Sequence, residues 1–162
     1  MSNVIPGMNP NWPRWVFASA SKQFIDYFNA QGIFSFVHSD DSNTGQFQNG
    51  IEFRLDGPNG KWLTRTEWDL YIEISLLITT MRDDKDAHIL ERYLGLAASA
   101  LTSAIPIFRF GDDATFLEGC FTLEAEGREP LVLAKFGIVQ VDLPVIQASA
   151  NGHYKGRFIN PK

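Results

Sequence analysis

A long alternation of apolar and polar residues in the middle of the chain constrains the fold more than any other sequence feature. From Trp68 to Ile78 every even-numbered position is apolar, whereas the odd-numbered positions of 68–80 include Asp69, Glu73 and Thr79. Successive side chains of a β-strand point to opposite faces of the sheet, so this pattern predicts a strand over 68–80 with one buried face.

A helical stripe through Leu70, Ile74, Leu77 and Met81 is the alternative interpretation, but the many β-branched residues favour the strand. A strand of about 15 residues would span roughly 50 Å, far more than an ordinary strand. We therefore expect it to extend beyond its own core. It is then either bent by a bulge or paired with, or covered by, a second copy of the chain.

Two amphipathic helices are predicted around this strand. The first runs from Pro13 to Gln31, since proline suits the first turn of a helix and Gly32 suits the position after its end. The second spans about 85–103 and follows two acidic residues at 83 and 84, which can cap its N-terminus. Both helices have an apolar face that a sheet can bury.

The remaining segments have strand and turn composition. Strands are predicted at 33–37, 51–56, 105–110, 116–125, 131–141 and 145–154. Residues 57–60 (GPNG) are expected to turn the chain, with an antiparallel pair of strands as the simplest arrangement. The predicted fold is α+β: a mostly antiparallel sheet with two helices packed against it, and one long strand or hairpin extending beyond the core.

The chain of 162 residues is predicted to form one domain, over 14–162, preceded by an extended arm over 1–13. Three prolines in the first thirteen residues remove hydrogen-bond donors and disfavour helix. The arm is either a loose tail or a segment that docks on a neighbouring subunit. Its candidate anchors for docking are Val4, Ile5, Met8 and Trp12.

Charge and chemistry exclude several classes of function. The formal charge of −5 disfavours tight DNA binding, which needs clustered lysine and arginine. Cys120 is the only cysteine, and we expect it to be a buried, unreactive thiol. His38, His88 and His153 lack the spacing of a zinc site. Nucleophile and phosphate-loop motifs are absent from the sequence, so no catalytic residue, cofactor, metal or enzyme activity is predicted.

No segment of the sequence approaches the roughly 20 apolar residues that cross a bilayer, and no signal peptide opens it. A soluble protein made in a cytoplasm is expected.

Several short phrases resemble a known family. They are IPIFRFGDD at 105–113, LEGCFTL at 117–123, KFGIVQVD at 135–142 and the closing Gly152-His153-Tyr154, in the order helix, long strand, helix, strands. Together they resemble the tail terminator, or tail-completion, proteins of long-tailed bacteriophages, over residues 14–157.

The resemblance implies a virion structural protein of the tail or neck. Such a subunit forms a hexameric ring that caps the tail tube, stops its polymerisation and joins the tail to the head connector or stopper protein. DNA would pass through the lumen without specific binding, since a negatively charged ring does not hold phosphates. The implied partners are sister copies, the tail tube protein and the connector, with no membrane.

Residues 66–82 and the flanking loops are the predicted interface with neighbouring copies. The candidate interface residues are Trp12, Trp68, Leu70, Tyr71, Glu73, Leu77, Met81, Arg82, His88 and Arg92. Two alternatives remain open at this point. One is another tail or neck subunit, such as a stopper or tube protein. The other is a small enzyme or ligand-binding domain with a pocket that joins His88 or His153 to a carboxylate.

Overall fold

The computed structural model describes residues 10–37, 49–64, 67–81, 88–111, 113–124, 129–140 and 145–159. In chain order the elements are α1 (Trp12–Ala30), β1 (Ser35–Val37), β2 (Gly50–Trp62), β3 (Glu67–Met81), α2 (Ile89–Leu101), β4 (Ile105–Arg109), β5 (Asp113–Leu123), β6 (Leu131–Gln140) and β7 (Val145–Ile159). Within these ranges no helix is long and apolar enough to cross a membrane.

Helix α1 begins one residue earlier than predicted, and its first residue belongs to the core. Trp12 is only 1% exposed and packs edge-on against Trp15 and Phe158. Helix α1 therefore includes the last two residues of the arm predicted over 1–13; residues 1–9 lie outside the described ranges. The helix ends before Gly32, whose φ of 72° is the left-handed conformation that glycine adopts readily.

Strand β3 is the centre of the sheet. It pairs with β2 on one side and with β7 along its full length on the other, from Glu67 opposite Ile159 to Met81 opposite Val145. The expectation that this strand extends beyond the core and is completed by a sister copy is wrong. The physical reason is that β7 continues past Tyr154 to Ile159 and supplies an equally long partner from the same chain.

The GPNG stretch does not turn the chain, contrary to expectation. Strand β2 runs through it, and pairing with β3 resumes at Asn59 after a register shift that begins at Asp56. Gly57 has a φ of 107°, and a Cβ there would lie 2.8 Å from the carbonyl oxygen of Tyr71. The segment is therefore a bulge that requires glycine, and the chain reverses only after Trp62.

The predicted fold class needs correction. Strand β1 runs parallel to β2, so the sheet is mixed. The strand order is β1-β2-β3-β7-β5-β4, with β6 also paired to β7. Because α1 contacts β4 at one end of this order and β1 and β2 at the other, the sheet curls around it. The chain is α+β in broad terms but mostly sheet; a curled mixed half-barrel replaces the expected mostly antiparallel sheet with helices packed on it.

The core lies between the two helices and one face of the sheet. On β3 the even-numbered residues Ile74, Leu76 and Ile78 are fully buried, as the alternation predicts. Opposite them β7 presents Gly152, Ala150 and Ala148, small residues that leave room for α2. The buried face of α2 consists of Leu90, Leu94, Ala97, Ala100 and Leu101. The acidic cap predicted at 83 and 84 lies outside the described residues.

Candidate functional site: an open sheet edge and the groove beside it

The second face of the sheet, turned away from the helices, carries polar residues in rows that cross the strands. Arg54 of β2 lies opposite Ser75 of β3, which lies opposite Asn151 of β7. The same alternation that buries one face of β3 places these side chains together. The sheet therefore offers a broad polar surface instead of a second core.

A groove of about 430 Å³ crosses this second face. Its lining residues come from four strands: Glu52, Arg54, Asp56, Ser75, Leu77, Phe136, Ser149 and Asn151. Glu52 and Asp56 flank Arg54 along β2, and the half-exposed Phe136 contributes an apolar wall. This arrangement provides hydrogen-bond donors and hydrogen-bond acceptors beside an aromatic ring.

An ion-pair cluster lies on the same face near the start of β3. Asp69 is 4% exposed, and its carboxylate accepts a hydrogen bond from Arg157 Nε at 3.1 Å. Lys155 Nζ lies 3.8 Å from the other carboxylate oxygen and 5.9 Å from the centre of the Tyr71 ring. The hydrogen bond to Asp69 raises the pKa of Arg157 above its ordinary value. The cluster fastens β3 to β7.

His153 and Glu73 face each other across β3 and β7, with 3.9 Å between Nδ1 and Oε2. The alternative of an enzyme or ligand-binding domain predicted that His88 or His153 lies beside a carboxylate, and His153 does lie beside Glu73. Neither residue lines the groove, and His88 is an exposed residue at the start of α2. The pair is consistent with a surface contact between strands.

Strand β6 forms an exposed edge of the sheet. Among the described strands it pairs only with β7, through one of its two edges. Val132, Leu133 and Phe136 are 36%, 47% and 54% exposed. The single charge on the strand, Lys135, contacts Glu91 of α2 at 3.1 Å, and this contact lowers the pKa of Glu91. An apolar strand edge therefore faces solvent.

The edges formed by β4 and by β1 with β2 are shielded. Strand β4 is covered by α1, because the Ser19 hydroxyl accepts from the N–H of Phe108 at 2.9 Å and donates to its carbonyl at 3.3 Å. Gln23 adds a hydrogen bond to the carbonyl of Ala104. Strand β1 has three residues, and the rest of β2 contains a bulge with Pro58. Covering helices, short strands, bulges and prolines all discourage edge pairing.

The structure distributes the predicted interface residues over different environments. Trp12 and Leu70 are buried in the core of the single chain, where they pack against its own residues. Trp68, Tyr71, Glu73 and Leu77 are half-buried on the central strand, and His88 and Arg92 are exposed on α2. Met81 ends β3, and Arg82 lies outside the described residues. These residues do not form one surface.

Sequence reasoning missed the edge of β6. A usable signal was present, because Val132 and Leu133 are consecutive apolar residues in a strand with one charge, which places apolar side chains on both faces. Cys120 was also misplaced: it is exposed on β5, not buried. Its strand is interrupted at Gly119, where φ is 150°, and the simple alternation of faces is lost there.

No protein-family model matches this chain, and no curated protein sequence matches it. Within the described ranges, no group of three or more His, Cys, Asp or Glu side chains is arranged to hold a metal ion.

Proposed function

We propose that this chain is a structural subunit of the tail of a long-tailed bacteriophage, acting as a tail terminator. Copies associate into a hexameric ring that caps the tail tube, stops its polymerisation and joins the tail to the head connector or stopper. The observation that carries the proposed association of copies is the exposed apolar edge of β6.

An unshielded edge favours association because it presents unpaired N–H and C=O groups beside apolar side chains. Phe136 and Leu133 are both about half exposed, and covering such side chains contributes roughly 1–2 kcal/mol each. A ring also requires two different complementary surfaces on each subunit. The edge of β6 supplies one, and it lies on the opposite side of β3 from β1 and β2.

The assignment to phage tails comes from the sequence phrases and not from the edge itself. Three of those phrases lie mainly in β4, β5 and β6, and Gly152-His153-Tyr154 lies in β7. The charge of −5 adds support, since a ring of such chains would repel the phosphates of DNA that passes through it.

Native mass spectrometry of the purified chain tests the proposal directly. The expected result is a closed oligomer of six copies, and multi-angle light scattering should give the same mass. Replacing Phe136 by Asp should shift the mass toward the monomer, whereas Leu117→Asp, at an exposed apolar position on β5, is the matched control. A protomer that stays monomeric at high concentration would overturn the proposal.

The groove on the second face supports a second candidate, a domain that binds a small polar ligand. It combines Arg54, two carboxylates and an amide with the Phe136 ring. This alternative expects a monomer, and a tube of indefinite length would instead indicate a tube protein. The mass measurement therefore separates all three.

A further inference from the structure

We propose that the groove on the second face of the sheet binds a neutral mono- or disaccharide. This ligand class rests on the second candidate function, ligand binding at the groove, and does not depend on how many copies of the chain associate. The volume of about 430 Å³ lies toward the small end of the range for ligand pockets. All of the lining residues belong to the described part of the chain.

Polar groups dominate the floor of the groove. One row across the strands has Ser75 opposite Asn151, and the next row has Leu77 opposite Ser149. Hydroxyl and amide groups both donate and accept hydrogen bonds. The hydroxyls of a sugar also do both, so they can pair with each of these groups. The floor therefore suits a ligand that carries many hydroxyls.

Several of these polar side chains are not used by the fold. Within the described ranges, the side chains of Arg54, Asp56, Ser75 and Asn151 form no hydrogen bond or ion pair with another residue. A ligand can therefore bind them without breaking contacts that stabilise the protein, and its hydrogen bonds replace bonds to water.

The charges in the groove favour a neutral ligand. Arg54 lies between Glu52 and Asp56 along β2, and alternate residues of a strand are about 7 Å apart. An anion bound at the arginine would meet two carboxylates nearby, and a cation bound at either carboxylate would meet the guanidinium. A neutral sugar avoids both repulsions, because its hydroxyls donate to carboxylates and accept from a guanidinium.

An exposed aromatic ring forms the opposite wall. Phe136 of β6 is 54% exposed and lines the groove, and β3 and β7 separate β6 from β2. One wall is thus charged and the other is aromatic. A pyranose ring has matching surfaces, with hydroxyls around its edge and apolar C–H groups on its faces. Those C–H groups can pack against the Phe136 ring and leave water.

Saturation-transfer-difference NMR and isothermal titration calorimetry of the purified chain test the ligand class. The neutral probes are D-glucose, D-galactose, N-acetyl-D-glucosamine and maltose. D-Glucuronate and protonated D-glucosamine add a charge to the same ring, L-phenylalanine is a zwitterion, and sorbitol keeps the hydroxyls without the ring. At least one neutral sugar should bind with a dissociation constant of about 1 mM or lower, and each of the other four probes should bind roughly tenfold more weakly.

Substitutions locate the bound sugar. Phe136→Ala should weaken its binding roughly tenfold because the ring contact is lost, whereas Phe136→Tyr keeps the ring and should retain binding. Arg54→Ala removes a hydrogen-bond donor and should weaken binding by a similar factor. The matched controls are Leu117→Ala on β5 and Arg92→Ala on α2, both exposed and outside the groove, and they should leave binding unchanged.

The outcomes distinguish the sugar from the groove itself. Tighter binding of glucuronate, glucosamine or phenylalanine that is lost in Arg54→Ala overturns the saccharide and leaves ligand binding at the groove standing. Sugar binding that is unchanged in both Phe136→Ala and Arg54→Ala lies elsewhere and overturns the site. If none of the probes binds, the saccharide and the second candidate function both fail, while the mass measurement still decides the ring.

Discussion

The Tyr154 hydroxyl donates a hydrogen bond to the backbone carbonyl of Leu101, the last residue of α2. Carbonyls at the end of a helix lack partners within the helix, so this bond satisfies a group that would otherwise be buried alone. Tyr154 is 1% exposed, and burial raises the pKa of its hydroxyl above the ordinary tyrosine value. One side chain thus fastens α2 to the centre of the sheet.

Replacing Tyr154 by Phe should lower the free energy of unfolding by about 1–2 kcal/mol, because a buried carbonyl loses its partner. Urea denaturation at neutral pH measures this. Tyr27→Phe makes the same chemical change at a partly buried position of α1 and should cost less. Equal losses in the two variants would contradict the role given to the Tyr154 bond.

Tyr154 also predicts a dependence on alkaline pH. The folded-state pKa is raised, so the stabilisation is complete below the unfolded value of about 10 and is lost as the pH rises through the folded value. Wild-type protein should lose stability above about pH 10, and Tyr154→Phe should lose less over the same window. Parallel curves for the two proteins between about pH 8 and 11 would rule out this linkage.

The Asp69 cluster predicts unequal effects for the carboxylate and its arginine partner. Asp69→Ala should destabilise the protein by about 1–3 kcal/mol, because Lys155, whose side chain is 20% exposed, loses its counter-charge. Arg157 has a side chain that is 62% exposed, so Arg157→Ala should cost less than about 1 kcal/mol. Denaturant midpoints of the two variants give the comparison, and a larger loss for Arg157→Ala would refute the proposed order.

The two faces of β3 predict opposite tolerance to a carboxylate. Ile74→Asp places an unpaired charge in the core, where Ile74 is fully buried, and should abolish folding at a cost of several kcal/mol. Ser75→Asp places the same carboxylate in the groove, at the position opposite Arg54. This substitution should leave the free energy of unfolding nearly unchanged. Circular dichroism of the soluble fraction distinguishes them; a folded Ile74→Asp protein would refute the face assignment.

Two glycines predict opposite responses to alanine. Gly95 lies in α2, and a Cβ added there would meet open space, so Gly95→Ala should stabilise the protein by about 0.5–1 kcal/mol. A Cβ at Gly156 would lie 2.5 Å from the Phe158 ring and 2.9 Å from the Cys120 carbonyl oxygen. Gly156→Ala should therefore lower the melting temperature, and a gain at this position would contradict the close packing of β5 on β7.

Some of the local structure was readable from the sequence. The alternation at 68–80 identified β3 and its buried face, because the period of a strand is fixed by its backbone. The helical spacing of Phe24 and Phe28 likewise identified α1 to within a residue at each end. These signals are local and do not depend on where the chain goes next.

The identity of the exposed strand was not readable. The length of β3 suggested an edge that needs a second copy, yet its partner is β7, from Val145 onward in the same chain. The groove could not be predicted from the sequence either, because its lining residues Glu52, Ser75, Phe136 and Asn151 come from four strands that are separated in the sequence. Strand neighbours depend on the closure of long loops and on competing pairings, which leave no periodic trace in the sequence.

The sequence by itself determined which residues of each long strand and helix face the core, because side-chain direction follows from backbone geometry alone. Only the tertiary structure decided that β3 lies at the centre and β6 at the edge, since that depends on which distant segments find each other. Surfaces for association depend on this second kind of information, and for that reason the association surface that we propose is the outer edge of β6 and not β3.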